Sequence, residues 1–312
     1  MSATVQASWA VASALAFAAM SAAIKLGYAH YGLFELVFWR NLLGAAAIGA
    51  WALATRRRLS TPLWPMHLRR SAAGAASMVL WFAALAALPL PTAATLGNTS
   101  PLFAALGIAL AARMRGAPPD ARRRLLYAAA ACGFAGVLLA LRPTLDGATL
   151  GGFAAGLASG LLATFVYFEM RTLGAAGEPS WRVVFWFSTV STGVGLAGIA
   201  ATGGFSSHVP EGVACLVAVA GFALVGQLTM TRAFAGPATL LAANLQYANI
   251  GFAAVIAAFL FQETLSAREG LGLAVIAASG AWSTWVAARP DPAAAAATGA
   301  ARCASRWSGR AA

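Results

Sequence analysis

Residues 243–252 read ANLQYANIGF, which puts Asn244, Gln246, Tyr247 and Asn249 inside an otherwise apolar run. Amides and phenols do no covalent chemistry unaided, but they donate and accept hydrogen bonds. Left unsatisfied in hydrocarbon, such a group costs a few kcal/mol, so each must meet a neighbouring helix or a wet cavity. At about 100° per residue, Asn244 and Tyr247 share one helix face with Gly251, and Gln246 and Asn249 share another. The first face is expected to line a cavity and offer hydrogen bonds to a polar solute. The second face is open to two readings, cavity lining or a bridge to an adjacent helix.

Groups able to do covalent or acid–base work are sparse. The nine acidic residues are Glu35, Asp120, Asp146, Glu169, Glu178, Glu211, Glu263, Glu269 and Asp291, and the histidines are His30, His67 and His208. None of the acids falls at the centre of an apolar run, and the histidines fall in the connections. An intramembrane enzyme needs a paired acid, a metal set or a nucleophile with a buried base, and no such constellation is present. Proton coupling through ionisable groups is likewise poorly provided for, although Glu35, Glu169 and Glu263 lie near span ends. Cys132, Cys215 and Cys303 have no disulfide or metal spacing. No phosphate-binding loop is found, and no cofactor is expected.

The elements that must position the amides are membrane helices. Of the 312 residues, 60% are hydrophobic and 10% charged, with a mean hydropathy of +0.75, far from a soluble domain. About 20 apolar residues cross a hydrocarbon core of about 30 Å. Ten such spans are expected, near 7–26, 33–54, 71–89, 92–112, 124–141, 149–169, 182–203, 212–234, 237–261 and 268–288. The net charge of +12 is distributed by side rather than clustered for nucleic acid. With the amino terminus inside, every Lys and Arg except Lys25, Arg40, Arg142 and Arg268 lies on the cytoplasmic side. The expectation is a multi-pass inner-membrane protein with both termini cytoplasmic. No Lys or Arg precedes the first span, so it reads as a retained helix rather than a signal peptide. Residues 291–312 read as a disordered cytoplasmic tail.

The chain also matches itself at an offset of 146 to 147 residues: Phe38-Trp39 on Phe185-Trp186, Pro91 on Pro237, Asn98 on Asn244, Gly133 on Gly280, Arg142-Pro143 on Arg289-Pro290. Two repeats, 1–144 and 145–290, follow. Each holds five spans, an odd number, so the second must enter the bilayer upside down. Inverted repeats with a binding site between them are a recurring design of secondary transporters. The expected fold is therefore all-α, with ten transmembrane helices as two inverted five-helix repeats.

FELVFWRNLLG in the second span, ALPLPTAATLGNTSPLFAALGIAL across the third and fourth, and TRAFAGPATLLAANLQYANIGFAAVIAAFLFQETLS across the eighth and ninth resemble the EamA-type branch of the drug/metabolite transporter superfamily. That resemblance covers residues 7–288 and implies a secondary transporter of amino acids or related metabolites, often exporting them. The family usually carries a Glu at the end of the fourth span, as Glu263 ends the ninth. Here ARMRGAPPD stands instead.

The substrate-binding candidates are Asn98 and Asn244 as repeat partners, with Tyr247 and Gln246. Trp81 and its partner Gln227 are both mid-helix, and Tyr167 joins them. Pro101 is expected to kink the fourth span and act as a hinge. Arg40 is read as a snorkelling or structurally paired cation ahead of one that attracts an anionic solute, and Arg70 as part of the cytoplasmic charge. Gly152, Gly156 and Gly160 form GxxxGxxxG, which lets another backbone approach closely. The partners are a small polar metabolite and the bilayer. A membrane-embedded enzyme and a non-transporting scaffold or receptor are the alternatives.

Overall fold

A computed structural model describes residues 3–114, 121–140, 147–235, 242, 245–263 and 266–288. The expected tail at 291–312 lies outside them. All regular structure among the described residues is helical: α1 Ala3–Gly27, α2 Leu33–Ala54, α3 Trp64–Ala87, α4 Leu90–Gly97, α5 Ser100–Met114, α6 Ala121–Ala140, α7 Gly147–Ala175, α8 Ser180–Thr202, α9 Pro210–Ala235, α10 Ala248–Leu260 and α11 Ala267–Ala288. Six of these, α1 to α3 and α7 to α9, are long and apolar enough to cross a membrane. The other expected spans coincide with α4 plus α5, α6, α10 and α11, which are shorter or less apolar. With large apolar side chains such as Leu53 and Phe259 turned outward, 74% and 82% exposed, this is a polytopic membrane protein.

Local sequence sets the helix ends. Prolines occupy the first turns of α3 and α4, where a missing N–H leaves nothing unpaired. Gly203 closes α8 at φ 106°, a left-handed cap open to glycine without strain. In the fourth expected span the helix breaks between α4 and α5. Asn98 N–H donates to Ala94 and Thr95 carbonyls, both at 3.1 Å, and Thr99 N–H to Leu96 at 3.1 Å. A second irregular turn comes just before α10, where Asn249 N–H donates to the Gln246 carbonyl at 3.0 Å. The break thus precedes the expected Pro101 kink, and Pro101 is the second residue of α5.

Helix neighbours fall into a regular pattern. The principal pairs are α1 with α9, α3 with α7, α2 with α8, and α6 with α11. The loops sort to two ends. At one, Glu35 accepts from the Ser206 amide at 2.9 Å, Lys25 pairs with Glu263, and Tyr31 packs beside His208 with ring centroids 5.5 Å apart. At the other, Thr61 and Arg182 hold Glu178, Arg182 donates to the Arg58 carbonyl at 2.9 Å, and Arg69 pairs with Glu169 at 2.9 Å.

The glycine stripe of α7 seats α4. A Cβ on Gly152 would lie 2.8 Å from Ala87 Cβ, one on Gly156 would lie 2.8 Å from Leu96 Cβ, and one on Gly160 would overlap Thr99 Oγ1. The close approach expected of GxxxGxxxG is made against the half-helix that carries Asn98.

Candidate functional site

Between these helices lies a cavity of about 150 Å³. In an engineered protein a void of about that size holds one benzene-sized molecule. Its polar lining comes from both halves of the chain: Arg40 of α2, Arg70 and Ser77 of α3, Asn98 at the α4–α5 break, Ser159 of α7, Gln227 of α9, and Gln246 and Asn249 at the start of α10. Phe17, Met20, Met78, Trp81, Tyr167 and Phe187 supply apolar and aromatic wall. A mostly apolar pocket with a few oriented polar groups is the usual form of a small-molecule site.

The amides are fixed by short-range bonds. Asn98 Nδ2 donates to the Ala94 carbonyl at 2.7 Å and to Asn249 Oδ1 at 3.2 Å, joining the two irregular turns. Asn249 Nδ2 donates to the Ala14 carbonyl at 2.9 Å, and Gln246 Nε2 to Ser13 Oγ at 3.3 Å. The Gln227 side-chain oxygen is buried with no donor among the described residues. Gln246 and Asn249 thus touch α1 and also line the cavity.

Of the residues singled out from sequence, Trp81, Asn98, Tyr167, Gln227 and Gln246 meet around this one cavity. Tyr167 also stacks on Phe234, with centroids 4.6 Å apart and planes 7° from parallel. Trp81 has its place because Gly97 has no side chain, since a Cβ there would sit 2.9 Å from the indole nitrogen. Tyr247 is placed elsewhere. Its ring fills the space above Gly280 of α11 and its hydroxyl is buried there, so it is not among the residues that line the cavity. Asn244 lies outside the described residues.

Two arginines also line this cavity. Charge counting puts Arg70 with the cytoplasmic set, yet it is 1% exposed and turns inward, while its neighbour Arg69 takes the solvent-side ion pair with Glu169. Adjacent helical positions point about 100° apart, so RR at a helix start divides its duties. A signal was available, because Arg70, Gly74, Ser77, Met78 and Trp81 recur at helical spacing on one face of α3, and all five line the cavity. Arg40 is 4% exposed, so snorkelling to an interface does not describe it. Its Nη1 donates to Asn41 Oδ1 at 2.8 Å and its Nε faces Met20 Sδ at 3.4 Å. Glu35, Glu169 and Glu263 all lie away from the cavity, held by Ser206, Arg69 and Lys25 in turn.

Residues 5–142 match the EamA-like transporter family. The chain is 29% identical over 243 residues to the pseudopaline exporter CntI of two strains of Pseudomonas aeruginosa, covering 78% of this chain and 83% of that one. It is 23% identical over 283 residues to a transporter of Helicobacter pylori, covering 85% of this chain and 90% of that one. A solved structure superimposes with a TM-score of 0.63 at 18% identity over 91% of this chain and 98% of its own, which establishes a shared fold. The EamA resemblance read from the motifs therefore holds.

Proposed function

We propose that this EamA-type membrane transporter carries a small polar organic metabolite by alternating access, and that it works as an exporter from the bacterial inner membrane with both termini cytoplasmic. The carrying observation is the cavity itself, which sits where two helices lose regularity and receives amides from both halves of the chain. The neighbour pattern supports two inverted repeats, residues 1–144 and 145–290. Exchanging α1, α2, α3 and α6 with α7, α8, α9 and α11 turns the α1–α9 contact into α7–α3 and leaves α2–α8 and α6–α11 unchanged. A pseudo-twofold axis between the halves has that property. Rocking one half against the other would open the site to each side in turn. The exporter direction rests on likeness to the pseudopaline exporter.

The test is solute counterflow in proteoliposomes with a panel of small metabolites, using the native chain, Asn98→Ala and Asn249→Ala. The reading expects movement of some member and a fall of tenfold or more in both variants. Native rates in two folded variants would remove the site assignment. A native chain that moves nothing would leave a scaffold or receptor as the better account.

A further inference from the structure

Resting on the transporter reading above, we infer that the solute is an organic anion, and that Arg40 and Arg70 together hold its carboxylate. Both guanidiniums line the cavity and both are almost fully buried. They flank one ring: Arg70 Cζ lies 4.3 Å and Arg40 Cζ 5.7 Å from the Phe187 centroid. Among the described residues neither meets a carboxylate, and no Asp or Glu lines the cavity. What they meet instead is weak. Arg70 Nη2 faces Met170 Sδ at 3.6 Å, while its Nε and Nη1 have no acceptor among the described residues. Arg40 has one amide oxygen and two thioethers.

Two like charges gathered on one ring, with apolar sulfur as their company, are a poor way to stabilise a fold. A structural buried arginine is ordinarily matched by an acid, since an unpaired buried charge is strongly destabilising. Ionisable residues inside a bundle mark solute pathways. Guanidinium N–H groups in a planar fork fit a carboxylate with two parallel bonds. The amides of Asn98, Gln246 and Asn249 and the indole of Trp81 remain for the rest of the solute.

An anionic solute also makes a proton relay unnecessary. In a cell with a negative interior the potential drives a singly charged anion outward, by roughly fiftyfold in concentration per 100 mV. Export then needs no titrating residue in the cavity.

The experiment uses the full chain in proteoliposomes loaded with labelled succinate, aspartate or citrate, against the uncharged or zwitterionic partners succinamide and asparagine. An interior-negative potential is set with potassium and valinomycin. The acids are expected to leave at least tenfold faster than the amides, faster still with the potential applied, and Arg70→Met and Arg70→Lys are expected to lose that preference. Melting temperature is the second readout. Arg70→Met should melt at or above the native temperature, since a cation that meets no carboxylate among the described residues is replaced by a side chain matched to Met170 and Phe187. Amides carried as fast as acids would overturn the anion assignment alone, and a preference intact in Arg70→Met would overturn the part given to Arg70. A marked fall in melting temperature with the preference retained would make Arg70 structural. If neither set crosses the membrane, the transporter reading itself fails.

Discussion

A close helix–helix contact lies beside the site. Gly160 lies on α7 against the break that presents Asn98. A Cβ there would overlap Thr99 Oγ1 and lie 3.0 Å from the Leu96 carbonyl oxygen, against the 3.4 Å at which ordinary contact begins. Thr99 is fully buried and its hydroxyl donates to that same carbonyl at 2.6 Å, so it cannot swing away without giving up the bond. Gly160→Ala should therefore push α4 off α7. Overpacking of this kind costs about 1–3 kcal/mol, and losing the Thr99 bond adds about 0.5–1.5 kcal/mol. Gly151, on the same helix, is exposed with nothing within 4 Å of a Cβ, so Gly151→Ala gains only helix propensity, about 1 kcal/mol. Since both changes share that propensity term, their difference isolates the packing. At about 2–4 °C per kcal/mol, Gly160→Ala should melt several degrees below Gly151→Ala in detergent. Its transport should fall further than its folded fraction, because Asn98 moves with the break. Equal melting temperatures for the two variants would refute the claim that the glycine stripe seats the half-helix.

Three further outcomes follow from named contacts. A double-mutant cycle of Asn98→Ala and Asn249→Ala, read by thermal unfolding, should give a coupling near 0.6 kcal/mol and no more than about 1.7 kcal/mol, and additivity would mean that the 3.2 Å bond contributes nothing. Burial raises the Glu178 carboxyl, but hydrogen bonds from Thr61 and Arg182 outweigh it, with His67 Nε2 at 3.4 Å, and hold the group below its ordinary 4.5. A depressed acid stabilises the fold above that ordinary value and loses the contribution as pH falls through the folded one. Melting temperature of the native chain should thus drop more steeply than that of Glu178→Gln below about pH 4.5, and parallel curves would contradict this. At the opposite end, Glu263→Gln keeps an acceptor for the Leu90 amide, 3.0 Å away, and loses the partly exposed pair with Lys25, so it should cost under about 1 kcal/mol. Glu263→Ala also orphans a first-turn donor of α4 and should melt lower than Glu263→Gln.

Much of the architecture was legible along the chain because membrane solvation is a one-dimensional constraint. Backbone groups in hydrocarbon must be bonded within their own segment, so length and hydropathy place helices without knowledge of neighbours. The glycine spacing in α7 and the amides near Asn98 and Gln246 were visible for the same reason, as departures from a monotonous apolar background. Direction was less legible. Asn244 and Tyr247 were favoured as the cavity face, yet Gln246 and Asn249 line it and Tyr247 packs over Gly280. The irregular turn before α10, where Asn249 and Ile250 bond three residues back, departs from the constant rotation that a helical wheel through Gln246, Tyr247 and Asn249 assumes.

Sequence by itself determined that this is a helical membrane protein resembling the EamA-like transporter family, with uncharged amides set into its apolar segments. Only tertiary structure decided which cations serve the cavity. Arg69 and Arg70 are identical in type and adjacent, and charge counting treats them alike. Packing against α7 and α8 sends one to Glu169 at the rim and the other onto Phe187 inside. The physical reason is that an arginine's role depends on which partner its helix face meets, and that meeting is set by contacts about 100 residues away.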